Sequence, residues 1–396
     1  MTLIDGMRVL SFCHYLQGPA AAQYLADLGA DVIKVEPPRG AFERHWSGGR
    51  SYIEGESAFH LAVNRNKRSV VIDMKNAAAR PVLERLVDWA DVVMENFRPG
   101  VMERNGLGYE ELKARKPAII YASASAYGSD GPDAARPGQD LLMQARTGLA
   151  AVTGAPLRGP TVVGAAVIDQ HGAALLAMGI LAAYVRRLKT GVGTHVEASL
   201  FNAGIDLQIE AITKWLHKTV AGNLLERAPN VGSWYHDAPY GPYRCRDGEL
   251  VLSMNDASKL AEALDSDSLR ALAKVDRYAE RDRYADAVAE ELSSRSLADL
   301  RTAFDRHGIW HEPIQTYDDL AGDRQAAHNG VFYKIAVGGS QATLVNPPLR
   351  YDGETPPTRR LPPKLGEHTR DVLGEMGFDA REIEALIGAG AVVAAA

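Results

Sequence analysis

Over its first 125 residues this chain alternates regularly between two hydrophobic periods, and nothing else in the sequence constrains its fold as strongly. Short runs rich in β-branched residues (MRVLSF, DVIKVE, SVVIDMK, DVVMENF and AIIYASASAYG) alternate with helical stretches (GPAAAQYLADLGA, NAAARPVLERLVDWA and YEELKARKP). Strands separated by helices cannot pair as hairpins. They predict βαβ units, right-handed crossovers and a parallel sheet of α/β class. Ligands of such sheets bind beyond the C-terminal strand ends, which here carry HYLQGP, EPPRG, DMK, NFRPG and SAYGSDGP.

Further along, GAAVIDQHGAALLAMGILAAY places one carboxylate, Asp169, among small and apolar residues. The preceding TVVGAAVI reads as a strand or an extended run. Residues 172–185 read as a buried core helix, too short and too closely preceded by Asp169, Gln170 and His171 for a membrane span. Asp169 then has two compatible roles. It is a favoured N-cap residue, and a carboxylate at a helix start is also placed to act as a nucleophile. The chain next becomes polar and helical (IDLQIEAITKWLHKT). A shift to charged, Ala-rich helices over 256–306 marks a smaller second domain. The expected domains are 1–224, 225–325 and a segment 326–396 that returns to the first. The Pro-rich NPPLRYDGETPPTRRLPPKLGEHT reads as extended over a surface, and DAREIEALIGAG as a last helix.

Composition narrows the function. A formal net charge of −6 gives no electrostatic case for nucleic acid. Cys13 and Cys245 form no CxxC pair, which suits a reducing compartment, and the N-terminus has no signal-peptide pattern, so a cytoplasmic location is expected. FCHYLQGPAAAQ lacks the GxGxxG of a nicotinamide-binding site, leaving Glu36 alone as a ribose-binding acid; no phosphate loop, GxSxG, HExxH or paired CxxC occurs. His14 and His171 are read as hydrogen-bonded polar residues rather than metal ligands, and no metal site is expected. Arg39, Arg65, Lys67, Arg68, Lys75, Arg98 and Arg104 fall near strand ends, where together they suit a cofactor with several phosphates, and Phe97 offers a ring to an adenine.

The stretches GMRVLSF, GPAAAQYLADLGADVIKVEPP, NRNKRSVVIDMK, DVVMENFRPGVMERNGLGYEEL, PAIIYASASAYGSDGP, TGLAAVTG, GAAVIDQHGA, KTGVGTHVEASLFNA and PPKLGEHT occur in one order. In these the chain resembles the family III CoA-transferases, the group of formyl-CoA transferase and carnitine CoA-transferase; residues 225–325 match loosely. The resemblance implies a Rossmann-like large domain plus a smaller α+β domain, and two subunits interlocked as a homodimer. It implies acyl-CoA and a small carboxylic acid as substrates, with no permanently bound cofactor. It makes Asp169 the nucleophile and implies CoA contacts from Gln17, Ile72, Lys75, Asn96, Phe97, Arg98, Arg104, Arg136 and Gln139; in catalysis, backbone N–H groups at the start of the 172–185 helix and Gln17 are expected to stabilise the oxyanions. CoA would move through an aspartyl anhydride and an aspartyl-CoA thioester.

Two departures count against formyl or oxalate as substrate. Leu16 stands where some formyl-CoA transferases have their Gln, and the family's mobile glycine run is missing, the nearest stretch being LSMNDASKL. The related 2-methylacyl-CoA racemases place a His before a second Asp. Here the sequence is Gln139–Asp140, and Gln cannot shuttle a proton. A racemase or a non-catalytic CoA-binding protein are the alternatives. The 24-residue Pro-rich segment, about 70–80 Å when extended, is long enough to wrap a second subunit.

Overall fold

A computed structural model describes residues 2–154, 159–221 and 224–395. The chain forms two compact units, one of Met1–Met143, Ala166–Leu207 and Arg324–Ala396, the other of Gln144–Ala165 and Gln208–Asp323. The boundary read at residue 224 therefore moves: residues 144–165 and the helix Ile209–Leu216 cluster with the second unit.

The first unit is built on a seven-stranded sheet in the spatial order Val392–Val393, Lys67–Ile72, Asp31–Glu36, Arg8–Ser11, Val92–Glu95, Ile120–Ser125, Thr194–Ser199. Six strands are parallel and only Val392–Val393 runs antiparallel, against Val71 and Ile72. Taken in chain order the six parallel strands lie 3-2-1-4-5-6, the order of a dinucleotide-binding sheet, with its ligand crevice where the order reverses. That reversal falls between Arg8–Ser11 and Val92–Glu95.

Both faces of the sheet are covered, which is why its strands are nearly continuous apolar runs. Leu10, Ile33, Val70, Val93 and Tyr121 pack under the helices Arg80–Trp89, Tyr109–Arg115 and Thr369–Glu375. Val9, Val32, Val92, Met94 and Ala122 pack against Gln17–Asp27 and Val167–Thr190. Gln17–Asp27 approaches closely because it presents Ala20, Ala21, Ala22 and Ala26, and because a Cβ on Gly18 would sit 2.5 Å from Cys13 Sγ.

TVVGAAVI is not a strand. Among the described residues no strand pairs with it; instead the Gln144 side chain accepts from the Val163 N–H (2.8 Å) and donates to the carbonyls of Val163 and Ala165. A side chain thus satisfies backbone groups that a ladder would otherwise satisfy. The following helix is longer than the sequence suggests, Val167–Thr190. It is long and apolar enough to cross a membrane by length and composition. One face (Ile168, Ala173, Leu176, Ala177, Ile180, Ala183) is buried, but Met178 is 61% and Leu188 68% exposed, so it is not buried all round.

The Pro-rich segment is partly held by its own chain. The backbone N–H groups of Arg359 and Arg360 donate to Asn66 Oδ1, the Arg359 guanidinium donates to Ala26 O, and Pro363 O accepts from Arg44. Beyond the helix Ala380–Gly388 the chain adds the edge strand Val392–Val393, and before the Pro-rich segment it forms the hairpin Phe332–Val337/Ser340–Val345. The second unit has an antiparallel sheet of Gly241–Cys245, Gly248–Leu252 and His311–Pro313. The helices Ala257–Ala263, Asp267–Leu272, Arg281–Ser293 and Leu297–His307 enclose its core.

Candidate active site

The loops at the C-terminal edge of the large sheet are tied together at the strand-order reversal. Asn96, just past Val92–Glu95, donates from Nδ2 to His14 O (2.6 Å) and accepts the His14 N–H on Oδ1 (2.9 Å). The rings of His14 and Phe97 lie 5.2 Å apart. Tyr15 follows in the left-handed region (φ 63°), uncommon for a residue with a side chain. Its N–H donates to Glu43 Oε2 (3.1 Å), while Glu43 Oε1 accepts from Lys34 Nζ (2.6 Å), which also donates to Cys13 O. Lys34 and Glu43 are both buried. This buried pair holds the loop that delivers Gln17 to the first position of its helix.

Gln17 is 4% exposed and its Nε2 has no hydrogen-bond partner among the described residues. A Cβ on Gly172 would lie 2.7 Å from that nitrogen, so the missing side chain admits the amide against the helix Val167–Thr190. Gly172 is three residues beyond Asp169, so the structure brings Gln17 and the Asp169 helix together.

Asp169 does not cap its helix. The N-cap position is Ala166, with no side-chain cap, and Asp169 is the third helical residue. Asp140 takes the capping role: its Oδ1 accepts the N–H groups of both Ile168 (2.7 Å) and Asp169 (3.0 Å). The Asp169 carboxylate makes no hydrogen bond with the described residues. Burial, then the nearby charge of Asp140, push its pKa up to about 7.

The basic residues divide by strand end. Arg39, Lys75, Arg98 and Arg104 follow the C-terminal ends of three strands, are exposed, and have no carboxylate partner among the described residues. Arg104 lies over Gly100, whose Cβ would meet Nη1 at 2.9 Å. Arg65, Lys67 and Arg68 sit at the opposite end, at the start of Lys67–Ile72, so their assignment to the ligand edge is corrected. Arg65 pairs with Asp27 (2.6 Å), Arg68 with Asp31 and Glu375, and Lys67 Nζ donates to Pro19 O, Val63 O and Asn64 Oδ1. All three are buried.

Ile72 is buried in the core at the end of its strand, and both ends of the Asn96 amide are engaged with the His14 backbone. Arg136 is exposed and paired with Asp133 (3.1 Å), and Gln139 is exposed. Glu36 is occupied: Arg44 binds it at 2.7 Å through two nitrogens and Ser69 donates to it. Burial opposes its ionisation, but Arg44, Lys34 and Ser69 outweigh burial and hold its pKa down to about 2. His14 is engaged through its backbone, and His171 Nε2 lies 2.7 Å from Asp206 Oδ2.

Sequence reasoning missed Glu95, whose pKa burial raises to about 7 and whose Oε2 accepts the Phe97 N–H, and the Lys34–Glu43 hold on Tyr15. The capping role of Asp140 was also missed, though an Asp opening a helix was visible in GQDLLMQAR. An open cavity of ≈ 700 Å³, lined by residues including Tyr240, Val251, Trp310 and His311, lies in the second unit and contains none of the expected site residues.

With this geometry in place, comparison with known proteins identifies the family. The model of CoA-transferase family III matches residues 4–369. The chain belongs to that family. It is therefore a transferase that acts on CoA thioesters. It is 32% identical to the succinyl-CoA:glutarate CoA-transferase of Mus musculus, over 99% of this chain and 91% of that one. It is 31% identical to a probable fatty acyl-CoA transferase of Mycobacterium tuberculosis, over 92% and 96%. A crystal structure of a CaiB/BaiF family protein from Brucella suis superposes with a TM-score of 0.82 at 30% identity, covering 95% of this chain and 99% of that one.

Proposed function

We propose that this CoA-transferase moves CoA from an acyl-CoA to a carboxylic acid through covalent intermediates on Asp169. The observation that carries this reading is the state of that carboxylate: half-buried, free of its own helix N–H groups and without a hydrogen-bond partner among the described residues. Such a group is poorly solvated and strongly nucleophilic once ionised. An Asp169 oxygen attacks the thioester carbonyl and the C–S bond breaks, giving a mixed anhydride and CoA thiolate. The thiolate attacks Asp169 Cγ and expels the donor acid, leaving an aspartyl-CoA thioester. The acceptor carboxylate attacks Cγ and releases thiolate, which then attacks the acceptor carbonyl and frees Asp169. Each step exchanges one acyl bond for another and needs no net proton.

The unpartnered Gln17 Nε2 beside Gly172 is a donor for the oxyanions formed on the way. Lys75, Arg98 and Arg104 carry the CoA phosphates, Phe97 faces the adenine, and the backbones of Ile72 and Asn96 line the same groove, with Arg136 and Gln139 at its margin. The exposed apolar face of Val167–Thr190 is covered by a second copy in an interlocked homodimer. A racemase reading is disfavoured because Gln139 carries no exchangeable acid. The substrates are tested by incubating purified protein with succinyl-, acetyl- and longer acyl-CoAs against a panel of mono- and dicarboxylic acids, read by mass spectrometry. At least one new acyl-CoA is expected from the wild type and none from Asp169→Asn; equal product from both would reject the reading.

A further inference from the structure

Asp169 depends on a residue to which no role in the reaction has been given. Asp140 opens the helix Asp140–Arg146 and is itself 8% exposed. Its Oδ1 accepts two consecutive N–H groups, from Ile168 and Asp169, in the first turn of Val167–Thr190. These are donors that a helix cannot satisfy internally. The usual solution is a side chain at the N-cap, but the N-cap is Ala166, which has none. The cap is therefore supplied from 28 and 29 residues away in sequence, by a second element, and it bonds the main chain of Asp169 itself.

Two consequences follow. The turn bearing Asp169 is fixed to a neighbouring helix rather than left to fray, so the direction of its carboxylate is set. The Asp169 carboxylate is also relieved of capping and left free for chemistry. We propose that Asp140 is a positioning residue for CoA transfer, holding the main chain of the nucleophile in register through the Ile168 and Asp169 N–H groups. This rests on the reading of Asp169 as nucleophile. The charged and titratable groups flanking the same turn are Asp140, the His171–Asp206 pair and Tyr24, which bonds Gln170. Of these, Asp140 is the one whose charge raises Asp169.

Two substitutions separate cap from charge. Asp140→Ala removes both; Asp140→Asn keeps an oxygen that can accept both N–H groups and removes the charge. The expected result for Asp140→Ala is a fall in kcat of about tenfold to a hundredfold, with the KM for acyl-CoA within about threefold, because misplaced reacting atoms lose rate rather than affinity. Asp140→Asn should recover kcat to within about threefold and move the acid limb of the pH–rate profile to lower pH. If Asp140→Ala does not fold, as judged by circular dichroism, Asp140→Ser, whose shorter side chain does not reach both N–H groups, takes its place. Wild-type kcat in the folded variant that lacks the cap, or a fall in kcat in Asp140→Asn as large as in that variant, overturns the proposal. Failure of the underlying reading looks different: the wild type itself would form no covalent CoA adduct on Asp169.

Discussion

The two ends of the large sheet carry the same kinds of cation in opposite states. At the N-terminal end Arg65, Lys67 and Arg68 are buried, and every one is matched to a carboxylate or to carbonyl oxygens. At the C-terminal end Arg39, Lys75, Arg98 and Arg104 are exposed and have no carboxylate partner among the described residues. The first set holds the sheet to its helices; the second is the set proposed above for the CoA phosphates. Residue type is the same in both, so what separates them is the strand end on which a cation falls and whether a partner was built for it.

The sharpest way to break this comparison is to remove a partner from the buried set. Asp27→Ala leaves the Arg65 guanidinium buried without its carboxylate, which costs about 3–5 kcal/mol. Urea unfolding should show that loss, while the KM for acyl-CoA of the folded fraction stays near wild type. Arg104→Ala should do the reverse. A charge-assisted contact to phosphate is worth about 1.5–3 kcal/mol, so the acyl-CoA KM should rise by about tenfold to a hundredfold with the urea midpoint unchanged. A loss of stability in this variant would place Arg104 with the structural set.

Acid provides a third contrast. The Glu36 pKa falls from 4.5 unfolded to about 2 folded, so its ionised form favours the folded state. That stability is complete above pH 4.5 and is lost as pH falls toward 2. Asp169 moves the other way, to about 7, so activity should decline below pH 7 while the fold is still intact. Unfolding and inactivation at the same pH would contradict this separation. The smallest effect is expected from Arg136→Ala. Its guanidinium is exposed and already paired with Asp133, and solvent screens a surface pair of this kind, so both stability and acyl-CoA KM should stay close to wild type.

The sequence made the parallel sheet legible because the strands Asp31–Glu36, Lys67–Ile72 and Ile120–Ser125 announce themselves by period and by flanking Gly, Pro and polar residues. It misplaced Arg65, Lys67 and Arg68 because proximity to a strand does not tell which end a side chain serves. TVVGAAVI has strand composition but no neighbour, a tertiary fact that local propensity cannot carry. Val392–Val393 is too short for any period, whereas the hairpin around Gly338 and Gly339 did carry a turn signal. At the site, Asp169 and Gln17 could be picked out by resemblance, but the division of labour between Asp169 and Asp140 could not. Both are Asp residues at helix starts, and only the fold shows which one caps.

The central claim, that Asp169 carries the transferred groups, is tested most directly by quenching the enzyme during turnover with an accepted acyl-CoA and mapping its peptides by mass spectrometry. The account predicts a CoA thioester, or a hydroxamate after hydroxylamine, on the peptide containing Asp169, absent from Asp169→Asn. Rapid transfer with the Asp169 peptide unmodified, or the same adduct on another residue, would contradict it.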